Sequence, residues 1–220
     1  MTVTTLCVWR IRPAAVPRAL WSVAVNRGRL RRTPGVRFAK LLGTGKGSRF
    51  DPAAADLTRW AALVVHDGAA PPIPTGPVVA HCTLTLRPVA ARGSWSGRQP
   101  FALSPSTNQK KILVLTRARL RAHRAPVFWR AIGPVARTLR DQEGLLAAFG
   151  VGEAPLGFQG TVSIWRHPAD IVRFAYRQPE HAAVVARTPR QRWYAEELFA
   201  RFHVLDIEGD RGVIGWTDGP

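Results

Sequence analysis

Two cations interrupt strands that are otherwise apolar on one face. In Val36 to Leu42, Lys40 alternates with Val36, Phe38 and Leu42, and Arg117 alternates in the same way with Leu113 and Leu115. A charged group on an apolar face is costly unless it meets an anion, so each side chain either finds a negative partner or reaches the rim of the strand and is solvated there. Among the histidines, His181 has the most distinctive setting. It follows Pro179 on a helix where it shares one face with Val184 and Val185. An imidazole on an apolar helix face is either a core histidine bonded to a carbonyl or a metal ligand. His66 and His167 end equivalent strands, which points to a structural role. His81 and His203 lie in or near terminal strands, and His123 reads as surface. None has a spaced partner of the kind a metal site needs.

Other chemistries find less support. Cys7 and Cys82 are far apart without a CxxC pattern and read as buried thiols. The glycines of GTGKG run into SRFDP, whereas a phosphate loop needs GxxxxGK[ST] opening a helix. No GxSxG elbow occurs. Trp60, Trp165, Trp193 and Tyr194 read as core and cavity lining, and Glu196 and Glu197 as residues early in a helix from Pro189, where the macrodipole favours them.

The elements that must position these residues occur twice in the same order. A strand from Thr5 to Ile11 precedes a helix opened by Pro13, with Val16, Leu20, Val23 and Ala24 at helical spacing. A glycine-ended strand follows from Gly35 to Gly47, and another from Leu57 to Asp67. The second half repeats this with KILVLTRARL, the helix PVFWRAIGPVARTL, then GLLAAFGVGEAP and GTVSIWRHPAD. Trp21 falls opposite Trp129, Gly35 opposite Gly144, Gly43 opposite Gly152 and Lys40 opposite Phe149.

The halves then diverge. The second supplies a helix from Pro168 to Arg177, another beyond Pro179, a short one from Pro189 to Phe199 capped by Thr188, and a last strand from Phe202 to Ile207. The first runs through DGAAPPIPTGP, whose prolines exclude a regular helix, into the strand HCTLTLRP. The fold class expected is α+β: two ferredoxin-like βαββαβ repeats packed as a dimeric α/β-barrel-type fold, the first lacking its second helix. The repeats cover 1–103 and 112–210, with a linker at 104–111 and a loose tail at 211–220.

The chain has 220 residues, 46% of them hydrophobic, and a formal net charge of +18. This composition excludes a disordered chain, and no apolar run is long enough to span a bilayer. A cytoplasmic protein is expected. Of the 32 basic residues only Lys40, Lys46, Lys110 and Lys111 are lysines, and the arginines are scattered. No base-reading element accompanies the charge, so no specific nucleic acid partner is expected; DNA binding would be nonspecific, and peripheral contact with an anionic membrane is a further reading of the basic surface.

Several blocks, RRTPGVRFAKLLGTG, GVGEAP, GTVSIW, PEHAAVV and WYAEELFARFHVLDIEG, resemble the spheroidene monooxygenase family of acyclic carotenoid ketolases over nearly the whole chain. The resemblance implies a haem-dependent oxidoreductase, with haem b iron carrying oxygen chemistry on a small hydrophobic substrate and an electron donor or peroxide as co-reactant. His181 becomes the expected proximal ligand. Lys40 becomes a partner for a haem propionate or a carboxylate, and Arg117 a propionate clamp or a catalytic cation beside iron-bound oxygen. Haem chemistry on nitrogen, as in aldoxime dehydratases, a cofactor-free oxygenase of the same fold, and haem carriage are the alternatives. The segment Asp67 to Pro77 departs from the ketolases, where a helix is expected.

Overall fold

A computed structural model describes residues 2–46, 54–73, 77–105, 110–121, 139, 142–153, 160–177 and 194–217. Strands β1 (Thr2–Arg10), β2 (Val36–Gly45), β3 (Ala55–Asp67), β4 (Ala80–Gly93), β5 (Ile112–Leu120), β6 (Leu145–Gly152), β7 (Gly160–Trp165) and β8 (Tyr194–Gly209) form one closed barrel in the order β1-β3-β2-β6-β7-β5-β8-β4. Every neighbouring pair is antiparallel. The first four strands run β4-β1-β3-β2 and the last four, read from the same edge, β8-β5-β7-β6. Helix α1 (Val16–Arg31) covers the outer face of the first four, and α2 (Pro168–Arg177) lies against the second four.

Alternation decides which side chains fill the barrel. Phe38, Leu42, Leu63, Leu84, Leu113, Leu115, Phe149 and Phe202 point inward and form one apolar cluster. Eight strands leave an interior just wide enough for such side chains, so the lumen is a core and no channel. Outside, Trp9, Leu41, Trp60 and Val64 pack under Val23 and Leu30 of α1. On the second sheet, Ile112, Val114 and Trp165 pack with Ile171 of α2.

The seams that close the barrel are unequal. Between β4 and β8 the pairing runs from Cys82 opposite Gly209 to Gly93 opposite Leu198, whereas β2 and β6 meet only at Gly43 with Gly152 and Thr44 with Val151. A short ladder of this kind contributes few hydrogen bonds and needs side chains to reinforce it.

Several expectations are corrected. Residues 194–199 belong to β8 and are no part of a helix from Pro189 to Phe199, and the last strand is far longer than Phe202 to Ile207. Leu198, Ala200, Phe202 and Val204 alternate into the core while the strand pairs with both β4 and β5, so tertiary pairing overrides the helix preference of Ala, Glu and Leu. The tail is not loose over 211–217. A 3-10 turn at Arg211–Ile214 buries Val213 and Ile214 in the barrel core, Arg59 Nη1 donates to Val213 O at 3.1 Å, and Thr217 N donates to Leu146 O at 2.8 Å. The inward residues of α1 are Val16, Ala19, Val23 and Leu30; Leu20 and Ala24 face outward. Val36 also leaves the face of Lys40, because a register shift between Val36 and Phe38 turns it to the outer cluster. Residues 68–73 contain no helix, while Trp129, His123 and all of the helix expected from Pro126 to Leu139 except helical Leu139 lie outside the described residues.

Candidate functional site

Lys40 and Arg117 enter the barrel from opposite halves and are 4% and 5% exposed. Between them stands Glu153, one residue beyond the Gly43–Gly152 pair. Its Oε2 lies 2.6 Å from Lys40 Nζ, and its Oε1 accepts from Arg117 Nη2 at 3.0 Å and from Trp95 Nε1 at 2.7 Å. The second guanidinium nitrogen of Arg117 donates to Glu196 on β8. Lys40 Nζ also bonds Ser96 Oγ at 2.7 Å. Two cations and two carboxylates therefore alternate around one mouth of the barrel, joining β2, β6, β5 and β8 across the short seam.

The loop after β4 completes the arrangement. Ser96 and Gly97 have φ of 58° and 74°, a two-residue turn closed by Trp95 N donating to Arg98 O at 2.8 Å. The turn drives Trp95 into the mouth, where it is 1% exposed, edge-on to Phe38 at 5.5 Å. Lys40 Nζ and Arg117 Cζ lie 5.6 and 5.4 Å from its ring centroid, so the indole is held by cations as well as by Glu153. Glu196 Oε1 holds the turn by accepting from Gly97 N at 2.8 Å and Ser94 Oγ at 3.1 Å.

The electrostatics fix these charges. Burial pulls the Lys40 ammonium below the usual lysine range, opposed by the hydrogen bond and charge of Glu153. Burial pushes Glu153 up, but the hydrogen bonds from Lys40 and Trp95 and both nearby cations outweigh it and leave it below the ordinary carboxylate range. Glu196 also loses solvation, yet the Gly97 amide, Arg117 and the Ser96 amide bring it down to about 2. Carboxylates held this low stay ionised near neutrality and do not act as general acids there. A depressed carboxylate stabilises the fold above its unfolded-state value, and that contribution is lost as pH falls toward the folded-state value. The urea midpoint should therefore decline between about pH 5 and pH 2. Glu196→Gln should lower the neutral midpoint and flatten that decline; an unchanged acid profile in the variant would count against Glu196 as a source.

An open cleft of about 360 Å³ lies over the cluster, lined by Ser96, Gly97, Arg117, Arg119, Glu153 and Glu196. Its polar walls suit a small polar molecule or ion better than an apolar body. Lys40 and Arg117 do meet anions, and those anions are carboxylates of the chain. As a propionate clamp the pair does not fit: a haem carboxylate would share the mouth with Glu153 and Glu196, and both outer nitrogens of Arg117 are already bound to them.

Of the other residues singled out, His181 and Trp193 lie outside the described residues. His66 is buried with its Nε2 2.9 Å from Thr5 Oγ1, His203 is buried on β8, and His81 is exposed. No group of three potential metal ligands occurs among the described residues. Cys7 and Cys82 are buried free thiols, and burial pushes Cys82 up to about 11. Glu196 sits on a strand, not at a helix start. Sequence reading missed Glu153, Trp95 and Ser96 as site residues; the carboxylate directly after the glycine-ended strand GVG was the available signal for Glu153.

A closed antiparallel barrel with helices on its outside defines a mixed α/β barrel class. It is shared with a solved aldoxime dehydratase at TM-score 0.52, with 11% identity over 93% of this chain and 81% of that one. A second aldoxime dehydratase, solved with butyraldoxime, matches at TM-score 0.51 with 10% identity over 98% and 85% of the two chains. No protein-family profile matches the chain. It is 31% identical to spheroidene monooxygenase of Rhodobacter capsulatus over 95% of its own length and 92% of that protein, and 33% identical to the Rubrivivax gelatinosus protein of that name over 80% and 72%. The chain belongs to the spheroidene monooxygenase family, and membership supports an oxidising enzyme. Among the described residues no helix is long and apolar enough to cross a membrane.

Proposed function

We propose that this chain is a haem-dependent monooxygenase that oxidises a hydrophobic small molecule of the spheroidene type. The observation that carries the reading is the family match, which extends over nearly all of both chains. The strand order supports the reading of two ferredoxin-like repeats, divided at 104–111, as a dimeric α/β-barrel fold. Haem, when bound, supplies the activation of oxygen, with an electron donor or peroxide as co-reactant. Because the barrel is filled by its own side chains and the mouth is polar, an apolar substrate is better matched to the outer face of the second sheet. There Ile112, Val114 and Trp165 are apolar and buried against Ile171 of α2, so a substrate would enter by displacing that packing. Helix α2 packs on this face through Ile171.

On this reading His181 is the proximal ligand, while Lys40 and Arg117 serve the carboxylates of the chain. Protein purified from cells supplied with haem should show a Soret band, which His181→Ala should abolish or strongly shift. His66→Ala and His167→Ala should leave it unchanged, and so should Lys40→Met, at some loss of stability. Oxygen from labelled dioxygen with an electron donor, or from labelled peroxide where peroxide drives the reaction, should appear in the product when spheroidene is supplied. A wild-type protein that takes up no haem yet oxidises the substrate would replace this reading with that of a cofactor-free oxygenase.

A further inference from the structure

Helix α1 is apolar on two opposite sides. Val16, Ala19, Val23 and Leu30 lie against the first sheet, yet Trp21 is 72% exposed and Val25 56%, with Leu20 exposed beside them. Trp21 and Val25 stand one turn apart on the outward side, and helical spacing continues that stripe through Arg18, Arg29 and Arg32, all exposed. A surface helix ordinarily turns polar residues away from its core; this one presents an indole and aliphatic groups between arginines. Exposed Leu57 and Val79 flank the chain that enters the helix, since Ile11 N donates to Thr58 O and Val79 N to Arg10 O, both within 2.9 Å. No Asp or Glu precedes Asp51 in the sequence, whereas basic residues recur from Arg10 to Arg49.

We propose that this face of α1 docks on an anionic lipid bilayer, with Trp21 and Val25 entering the headgroup boundary and Arg18, Arg29 and Arg32 meeting lipid phosphates. Charge argues for this occupant. A second copy related by a two-fold axis would set the arginine stripe against itself, on a chain already at +18. A nucleic acid duplex would satisfy the arginines but leave the Trp21–Val25 centre against a polar, phosphate-lined surface. The helix is also tied to the barrel mouth, because Arg27 donates to the carbonyl of Glu153 and Arg31 Nε to Ala39 O at 3.4 Å. A chain held by α1 therefore has its site strands anchored to the docking element. The inference stands on the surface alone and does not depend on the reaction assigned above.

The test is co-sedimentation of the full chain with vesicles of phosphatidylcholine alone and of phosphatidylcholine mixed with phosphatidylglycerol. Binding should require the anionic lipid and weaken with salt. Neutralising Arg18, Arg29 and Arg32 together to Gln should lower partitioning about a hundredfold, from roughly fivefold for each cation at an anionic surface. Trp21→Ser with Val25→Ser should lower it about tenfold or more at unchanged charge. These positions are exposed, so circular dichroism and melting should match the parent. Absence of vesicle binding, or binding that the helix variants leave untouched, overturns the proposal. So does a concentration-dependent dimer that Trp21→Ser dissociates, or duplex DNA binding that depends on Trp21 while vesicle binding does not.

Discussion

Replacing Glu153 by glutamine should destabilise the fold by about 3 kcal/mol, the low end of what is lost when a buried ion pair loses one partner. The carboxylate accepts from Lys40, Arg117 and Trp95 at once, and an amide of the same shape turns two further donors toward those three. Lys40, 4% exposed, would then lose its carboxylate partner, while Arg117 keeps Glu196. The low end applies because the Glu153 side chain keeps 30% of its exposure and water softens the loss. Lys40→Met should cost less, since it leaves Glu153 bound to Arg117 and Trp95. Combining Lys40→Met with Glu153→Leu should cost less than the two separate losses added together, by about 1 kcal/mol or more of coupling. Urea unfolding at neutral pH of these variants and of the Glu153→Leu single variant measures all of this. A Glu153→Gln protein with the parent midpoint would show that the charges do not hold the short seam.

Half of that cluster was legible in the sequence and half was not, for a physical reason. Lys40 and Arg117 announce themselves because each breaks a period-two apolar pattern that a strand's buried face enforces, and both do face the barrel interior. Glu153 breaks no pattern. Its significance comes from the meeting of Gly152 with Gly43, a contact between distant parts of the chain that no local signal encodes. Trp95 is hidden in a similar way, since no periodic pattern marks its loop and only the turn at Ser96 and Gly97 aims the indole inward.

The same contrast governs the elements. Strands bounded by glycine and the Pro13 entry to the first helical segment were readable, because local backbone preference and burial agree there. Tyr194 to Phe199 reads as helix because Ala, Glu and Leu favour one, and it becomes strand because closing the barrel requires a long partner for both β4 and β5. The segment around Val213 looked unstructured because it has no periodicity of its own. It is ordered by what it covers: the end of the barrel where Arg59 reaches its carbonyl.

Trp95→Ala should be the most damaging single truncation at the mouth, costing about 4 kcal/mol and lowering the melting temperature on the order of 10 °C. The indole is 1% exposed and packs edge-on to Phe38, so its removal leaves a cavity that the closed strands around it cannot collapse to fill. It also strips Glu153 of an N–H donor and Lys40 and Arg117 of the ring they lie over. Trp95→Phe separates these effects. It keeps an aromatic ring near both cations and most of the packing but removes the donor, so it should cost about 2 kcal/mol, the net worth of one hydrogen bond to a charged acceptor. Trp21→Ala supplies the comparison, because an indole that is 72% exposed contributes within about 0.5 kcal/mol when truncated. Thermal melts of the three variants, followed by near-ultraviolet circular dichroism to report the packing of the remaining aromatics, should rank them Trp95→Ala far below Trp95→Phe and Trp21→Ala close to the parent. If Trp95→Ala melts beside Trp21→Ala, the turn at Ser96 and Gly97 does not seal the barrel, and the cluster beneath it is an open charged surface, not a held core.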